Sequence, residues 1–160
     1  MFTIRRLIKS SLALLLTISA SYSSMVYAQG ITLSQAKMLL SAAEAKANTD
    51  GTLMNIAVVD AGANLVGFSR MDGAFLGSID IAIKKARTAR LFNMPTADLG
   101  AIAQPHKELY GIEVSNGGLI TFGGGYPIID SEGRIIGGIG VSGGSVKQDE
   151  AVAEEALKAL

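Results

Sequence analysis

Apolar residues recur every three or four positions in two long stretches of the chain, which predicts two amphipathic helices. The first helix is predicted over 33–48, where Thr32 and Gln35 form a capping-box pattern at its start. The second is predicted over 78–92, with one apolar face packed on the rest of the domain. Its polar positions, which we expect to face solvent, are Asp80, Lys84, Arg87 and Thr88.

Turn-forming and capping residues mark two further helices. Pro95 ends the second helix, and Thr96 can cap a short successor over 97–103. Ser145 then opens a second capping-box pattern before an alanine-rich helix that continues to Leu160.

Five short segments are rich in β-forming residues and are bounded by turn residues. The segments 54–60 and 64–70 are separated by only three small residues, which predicts a β-hairpin. Three more strands are predicted over 118–122, 126–130 and 134–141. Because hairpins rather than crossovers connect them, we expect an α+β domain with one antiparallel five-stranded sheet and helices packed on it.

The N-terminal segment has the pattern of a secretory signal peptide. Three basic residues fall within the first nine, and the apolar or small run of residues 10–20 follows. As a helix this run would be about 17 Å long, well short of a bilayer core of about 30 Å. Small or compact residues at Val26 and Ala28 predict cleavage after Ala28. We therefore expect a signal peptide over 1–28, a single domain over 29–160, and a periplasmic or secreted protein without a stable membrane anchor; an uncleaved anchor is the alternative.

Composition excludes several classes of protein. Cleavage after Ala28 would remove three of the 14 basic residues and none of the 14 acidic ones, which leaves a formal charge of −3. A mildly acidic domain is not attracted to nucleic acid, so we expect no nucleic-acid partner. The chain has no cysteine, so disulfides, thiolate zinc sites and iron–sulfur clusters are excluded.

One glycine-rich motif resembles a nucleotide-binding loop. Residues 138–143 fit G-x-G-x-x-G between a predicted strand and a predicted helix. However, Asp149 and Glu150 place negative charge at the start of the helix, where a pyrophosphate would have to bind. We therefore expect no nucleotide, and we interpret the glycines as a strand packed closely under a helix.

Single side chains, rather than clusters, are the candidates for chemistry. His106 is the only histidine and lies in a polar loop, so it is either a solvated surface residue or a ligand without protein companions. Zinc needs several such ligands, whereas haem iron can be held by one axial His, Tyr or Met. Tyr126, after three glycines, and Met94, before a proline, are therefore further candidates. Ordinary packing is the alternative for both.

Basic residues are concentrated on the second helix of this otherwise acidic domain. One interpretation is a solvated face; the other is a site for a small anion such as a propionate or another carboxylate, which arginine binds in bidentate geometry. The residues concerned are Lys84, Lys85, Arg87 and Arg90.

The same segments resemble a known family. KKARTARLFNMPT at 84–96, FGGGYPIIDSEGRIIGGIGVSGG at 122–144 and QDEAVAEEAL at 148–157 are similar to the GlcG/HbpS family of haem-binding or haem-degrading domains. This domain also forms the C-terminal part of PduO proteins, and the first hairpin, 57–74, is similar too. The resemblance implies a profilin-like fold, assembly into homo-oligomers and, for some members, haem binding.

Two functions follow as expectations. The first is an exported protein that binds or handles haem, with His106 or Tyr126 as candidate iron ligands, Met94 as another, and Arg87 and Arg90 towards the propionates. The second is a module for a small organic acid, or an oligomeric accessory or scaffold protein without haem. No catalytic residues are predicted, so any enzymatic activity would depend on bound haem.

Overall fold

The computed structural model describes residues 30–160, and the predicted signal peptide lies outside them. Most of the predicted elements are confirmed to within a few residues. In chain order they are α1 (Leu33–Thr49), β1 (Asn55–Asp60), β2 (Leu65–Arg70), α2 (Gly77–Phe92), α3 (Thr96–Ile102), a 3-10 turn (Ile112–Val114), β3 (Gly125–Ile129), β4 (Ile135–Ser142) and α4 (Val146–Leu157).

Both predicted capping boxes are formed. Thr32 and Gln35 exchange side-chain-to-backbone hydrogen bonds at the start of α1, and Ser145 and Gln148 do the same at the start of α4. Each such cap stabilises its helix by about 1 kcal/mol. Helix α2 has no side-chain cap and ends at Asn93, whose φ of 55° lies in the left-handed region.

The sheet consists of two hairpins joined side by side, in the order β2-β1-β4-β3 with every neighbouring pair antiparallel. The two hairpins turn in the same way. In the first, Oδ1 of Asp60 accepts hydrogen bonds from the N–H groups of Gly62 and Asn64, at 2.8 and 2.9 Å. In the second, Asp130 accepts from the N–H groups two and four residues further on, both at 2.9 Å. A side-chain oxygen thus closes each turn.

The two faces of the sheet differ in how closely helices approach. Helices α1 and α4 cover one face through a core of large aliphatic side chains, which include Leu39, Ile56, Val58, Ile128, Ile139, Val141 and Val152. Helix α2 covers the other face, where the buried cluster consists of small residues: Ala57, Val59, Ala82 and Ala86. The backbone of α2 therefore lies much closer to the strands than α1 or α4 can.

Glycines in β4 make this close approach possible. A Cβ atom at Gly138 would clash with the carbonyl oxygen of Ala86, and one at Gly140 with that of Ala82. The close strand-to-helix packing that we inferred from the motif 138–143 is therefore what the structure shows, although the helix concerned is α2 rather than the one that follows the motif.

The predicted strand over 118–122 is wrong, and the sheet formed by residues 30–160 has four strands rather than five. The N–H group of Leu119 donates to the carbonyl of Glu113, at 2.9 Å, and that of Ile120 donates to the hydroxyl of Thr88, at 3.1 Å. Because a loop carbonyl and a helix hydroxyl accept these hydrogen bonds, these N–H groups do not pair with a neighbouring strand. Thr88 was predicted to face solvent, and this is also wrong, since it is buried against the segment.

Within residues 30–160, no helix combines the length and the apolar character needed to cross a membrane.

Candidate functional site

The structure distributes the predicted site residues over both faces of the sheet. Arg87 is exposed on α2, Arg90 is half-buried one turn later, and Met94 is half-buried just after the helix ends. His106 is exposed in the loop after α3, with a φ of 67°. Tyr126, in contrast, packs with the aliphatic core under α1 and α4.

The hydroxyl of Tyr126 is already engaged. It donates to Oε1 of Glu154 on α4, at 2.7 Å. Burial, and secondly the hydrogen bond to Glu154, raise the pKa of this phenol above its usual value. Iron is bound by the deprotonated phenolate, so the environment of Tyr126 opposes that role. The sheet also separates Tyr126 from Arg90, whose Cβ lies against Gly138 on the α2 face.

A buried ion pair links α2 to the start of α4. Nζ of Lys85 lies 2.7 Å from Oδ2 of Asp149, and both side chains are almost completely buried. The ammonium group also donates to the carbonyl of Val141, at 2.8 Å, and Oδ1 of Asp149 accepts from the N–H group of Gly144, at 3.0 Å. Burial lowers the pKa of Lys85, and Asp149 acts in the opposite direction. These contacts satisfy both charges and fix α4 relative to α2.

Three consecutive glycines, at 123–125, lie over this ion pair, and the last of them begins β3. A Cβ at Gly124 would lie 2.8 Å from Nζ of Lys85, and one at Gly123 would clash with the carboxylate of Glu150. The N–H group of Gly125 donates to the hydroxyl of Thr96, at 3.0 Å. Side chains are therefore excluded from this crossing, and the φ of 107° at Gly124 independently favours glycine, so packing and backbone conformation together explain the triple glycine.

The sequence groups Lys85 with the basic run of α2, for which a solvated face and an anion site are the two interpretations. Neither holds for Lys85, because its side chain is buried. The sequence did contain a signal. Position 85 lies on the same helical stripe as the buried positions of α2, which are Ser78, Ala82, Ala86 and Ala89. A lysine on an apolar stripe indicates a buried partner of opposite charge, but the sequence does not say that this partner is Asp149.

Arg90 borders a groove beside the turn of the first hairpin. The groove has a volume of about 540 Å³ and is lined by Gly30, Ile31, Asp60, Ala61, Gly62 and Arg90. One guanidinium nitrogen, Nη1, donates to Oδ1 of Asn93, at 2.7 Å. The Nε–H group is buried and has no acceptor among residues 30–160. A buried donor without an acceptor destabilises this resting conformation and would favour an oxygen ligand.

Metal coordination by clustered side chains has no candidate in the part of the chain that the structure describes. No three histidine, aspartate or glutamate side chains there lie close enough together to hold an ion. His106, with one exposed imidazole, fits only a group that brings its other ligands with it, as haem does.

The three-layered arrangement and its glycine-lined helix contact define a small α+β domain with one antiparallel sheet. Comparison with known families gives the particular family. The model of the haem-degrading HbpS-like proteins matches residues 31–158, so the chain belongs to the HbpS-like family.

Similar proteins occur both as single domains and as parts of longer chains. A 15.0 kDa protein from the dhaT–dhaS intergenic region of Citrobacter freundii is 43% identical over 128 residues, covering 79% of this chain and 89% of that protein. The corrinoid adenosyltransferase PduO of the same organism is 43% identical over 106 residues, which are 66% of this chain but 31% of PduO. The crystal structure of a PduOC–haem complex is 36% identical, with a TM-score of 0.78, and covers 82% of this chain and 95% of that one.

Proposed function

We propose that this protein binds or handles haem. The observation that carries the proposal is the similarity to PduOC, a domain solved in complex with haem, which extends over 82% of the chain. The family description, which refers to haem degradation, points in the same direction. Bound haem would supply the iron chemistry, and the residues of this chain would bind and orient it.

The side chains of this protein fit such a role best around His106. Its imidazole is exposed on the loop after α3 and is free to approach iron. The segment 102–122 that carries it also exposes large apolar side chains suited to the face of a porphyrin: Ile102, Tyr110, Val114 and Phe122. Arg87 and Arg90 remain the candidates for the propionates, and Met94 remains a second candidate for iron. Tyr126 is the least suited, because its hydroxyl donates a hydrogen bond to Glu154 and its raised pKa keeps it protonated.

Titration of the purified protein with hemin tests the proposal. We expect a Soret band that is shifted from that of free hemin and that saturates at a defined stoichiometry. His106→Asn should remove the shift, and asparagine tolerates the left-handed φ at this position. Lys107→Gln, on the same exposed loop, is the matched control. If the spectrum of wild-type protein with hemin equals that of free hemin, the proposal is wrong. If wild-type protein and His106→Asn shift the Soret band equally, a residue other than His106 binds the iron.

We further propose export and self-association. The basic start, the short apolar run and the site before Gln29 support export with cleavage after Ala28. Intact mass spectrometry of protein from a periplasmic fraction should show a chain that begins at Gln29. The open edge strands, which expose Leu65 on β2 and Ile129 on β3, support a homo-oligomer, which light scattering would detect. The mass of the uncleaved chain in the first experiment would contradict cleavage after Ala28. The mass of a monomer in the second would contradict self-association.

A small organic acid is the second candidate ligand, and one observation favours it. Arg90 lines an open groove, and its buried Nε–H group has no acceptor among residues 30–160, so a carboxylate in the groove could satisfy it.

A further inference from the structure

We infer that the groove beside Arg90 binds a small carboxylic acid that carries a hydrogen-bond donor next to its carboxylate, as 2-hydroxy and 2-amino acids do. This inference rests on the second candidate of the proposed function, the small organic acid, and does not require bound haem.

Arg90 supplies the carboxylate-binding group. Asn93 holds Nη1 from the side of the helix end, at 2.7 Å, which leaves the Nε and Nη2 edge of the guanidinium for another partner. Nε has no acceptor in the structure of residues 30–160. A small rotation of the side chain towards the groove would offer this edge to both oxygens of a carboxylate. The bidentate pair would replace an unsatisfied donor with two charge-assisted hydrogen bonds.

Asp60 supplies the acceptor on the other side of the groove. Its Oδ1 is occupied by the turn, because it accepts from the N–H groups of Gly62 and Asn64. Its Oδ2 accepts only a long bond from the side chain of Asn64, at 3.3 Å, and has capacity for a further donor. Between residues 30 and 160, no salt bridge joins Asp60 to Arg90, so the two charges do not neutralise each other directly.

The groove, with a volume of about 540 Å³, has room for a small organic acid. Gly30, Ala61 and Gly62 contribute little side-chain volume, which keeps the space between Arg90 and Asp60 open. A plain alkyl carboxylate would satisfy Arg90 but would bring its anionic charge near Asp60 without any compensating bond. A donor on the adjacent carbon offsets this repulsion, which is why we infer a hydroxy or amino acid.

Calorimetric titration with propionate, L-lactate and L-alanine tests the inference, because these acids share one carbon skeleton and differ at carbon 2. We expect lactate or alanine to bind at least about tenfold more tightly than propionate. Arg90→Gln should weaken binding at least about tenfold, and Arg90→Lys should weaken it less, since lysine keeps the charge but loses the bidentate edge. Circular dichroism would verify that both variants are folded.

Two matched variants complete the design. Arg134→Gln removes an exposed arginine from the equivalent turn of the second hairpin and should leave binding unchanged. Asp60→Asn keeps an oxygen for the turn but removes the charge, so it should weaken alanine more than lactate. Absence of binding by all three acids, equal affinities, or affinities unchanged in Arg90→Gln would overturn the inference. Hemin titration of the same samples reports separately on haem, so either idea can fail without the other.

Discussion

At the scale of single residues, the buried pair of Lys85 and Asp149 should be sensitive to substitution. Lys85→Met should lower the free energy of unfolding by about 3–5 kcal/mol, because it leaves the carboxylate of Asp149 buried without a partner of opposite charge. Urea unfolding followed by circular dichroism measures this change.

A double variant separates the charge effect from packing. Asp149→Asn removes the orphaned charge and still offers an oxygen to the N–H group of Gly144. We therefore expect Lys85→Met with Asp149→Asn to be more stable than Lys85→Met alone. A double variant that is less stable than the single one would show that the ion pair does not account for the loss.

Tyr126 gives the stability of the protein a specific dependence on pH. Its pKa in the folded state is raised above the usual value of 10.0 by burial and by Glu154. The folded state therefore keeps a proton that the unfolded state releases, so the free energy of unfolding is unaffected by this group below about pH 10 and falls as pH rises above it. Urea unfolding between pH 8 and 11 should show this decline in wild type.

Tyr126→Phe is the control for that prediction. It loses the hydrogen bond to Glu154, which costs about 1 kcal/mol at pH 8, but it should lack the part of the alkaline decline that Tyr126 contributes. The difference in absorbance at 295 nm between the two proteins would follow the phenol directly. Identical alkaline profiles, or a phenol that ionises in the usual range, would refute the prediction.

At the scale of elements, α2 depends on the absence of side chains beneath it. Gly140→Ala would force a methyl group against the carbonyl of Ala82 and should destabilise the protein by about 3 kcal/mol or more. Gly77→Ala, at the start of the same helix, has open space around its Cβ and should be neutral or slightly stabilising. Comparable losses of thermal stability in the two variants would contradict this account of the α2 contact.

The elements that the sequence predicted correctly are those with a local signal. Periodicity and capping residues identified all four helices, and turn residues identified both hairpins. The segment 118–122 has the composition of a strand, but its N–H groups donate elsewhere: Ile120 to the hydroxyl of Thr88, which is 32 residues away, and Leu119 to the carbonyl of nearby Glu113. The β-propensity of a segment indicates that it can form a strand, but it does not indicate which other groups in the fold will accept the hydrogen bonds of its backbone.

The candidate site was predictable only in part, for a related reason. Arginines on α2 could be recognised from their residue type, but the groove at Arg90 is completed by Asp60 and Gly62, which come from a separate hairpin. The engagement of Tyr126 depends on Glu154, 28 residues further along the chain. The role of a residue that depends on contacts between distant segments can be recognised only once the fold is known.

At the scale of the whole molecule, the sheet has two open edges. Strand β2 exposes Leu65 and strand β3 exposes Ile129, each at about half of its surface. If the proposed oligomer uses a sheet edge, Ile129→Lys or Leu65→Lys should lower the mass measured by light scattering while the monomer stays folded. Ser131→Lys, in an exposed turn, is the control. An oligomer that withstands both edge substitutions would exclude edge pairing.

The joining of two similar hairpins also shapes how the chain folds. Each hairpin closes over a few residues, so its contacts form at little cost in chain entropy. The central pairing of β1 with β4, in contrast, brings together residues that are 77 to 87 positions apart. Long-range closure of this kind sets the folding rate of small domains. The hairpins should therefore form early, and meeting of the two central strands should be the slow event that commits the chain to its native topology.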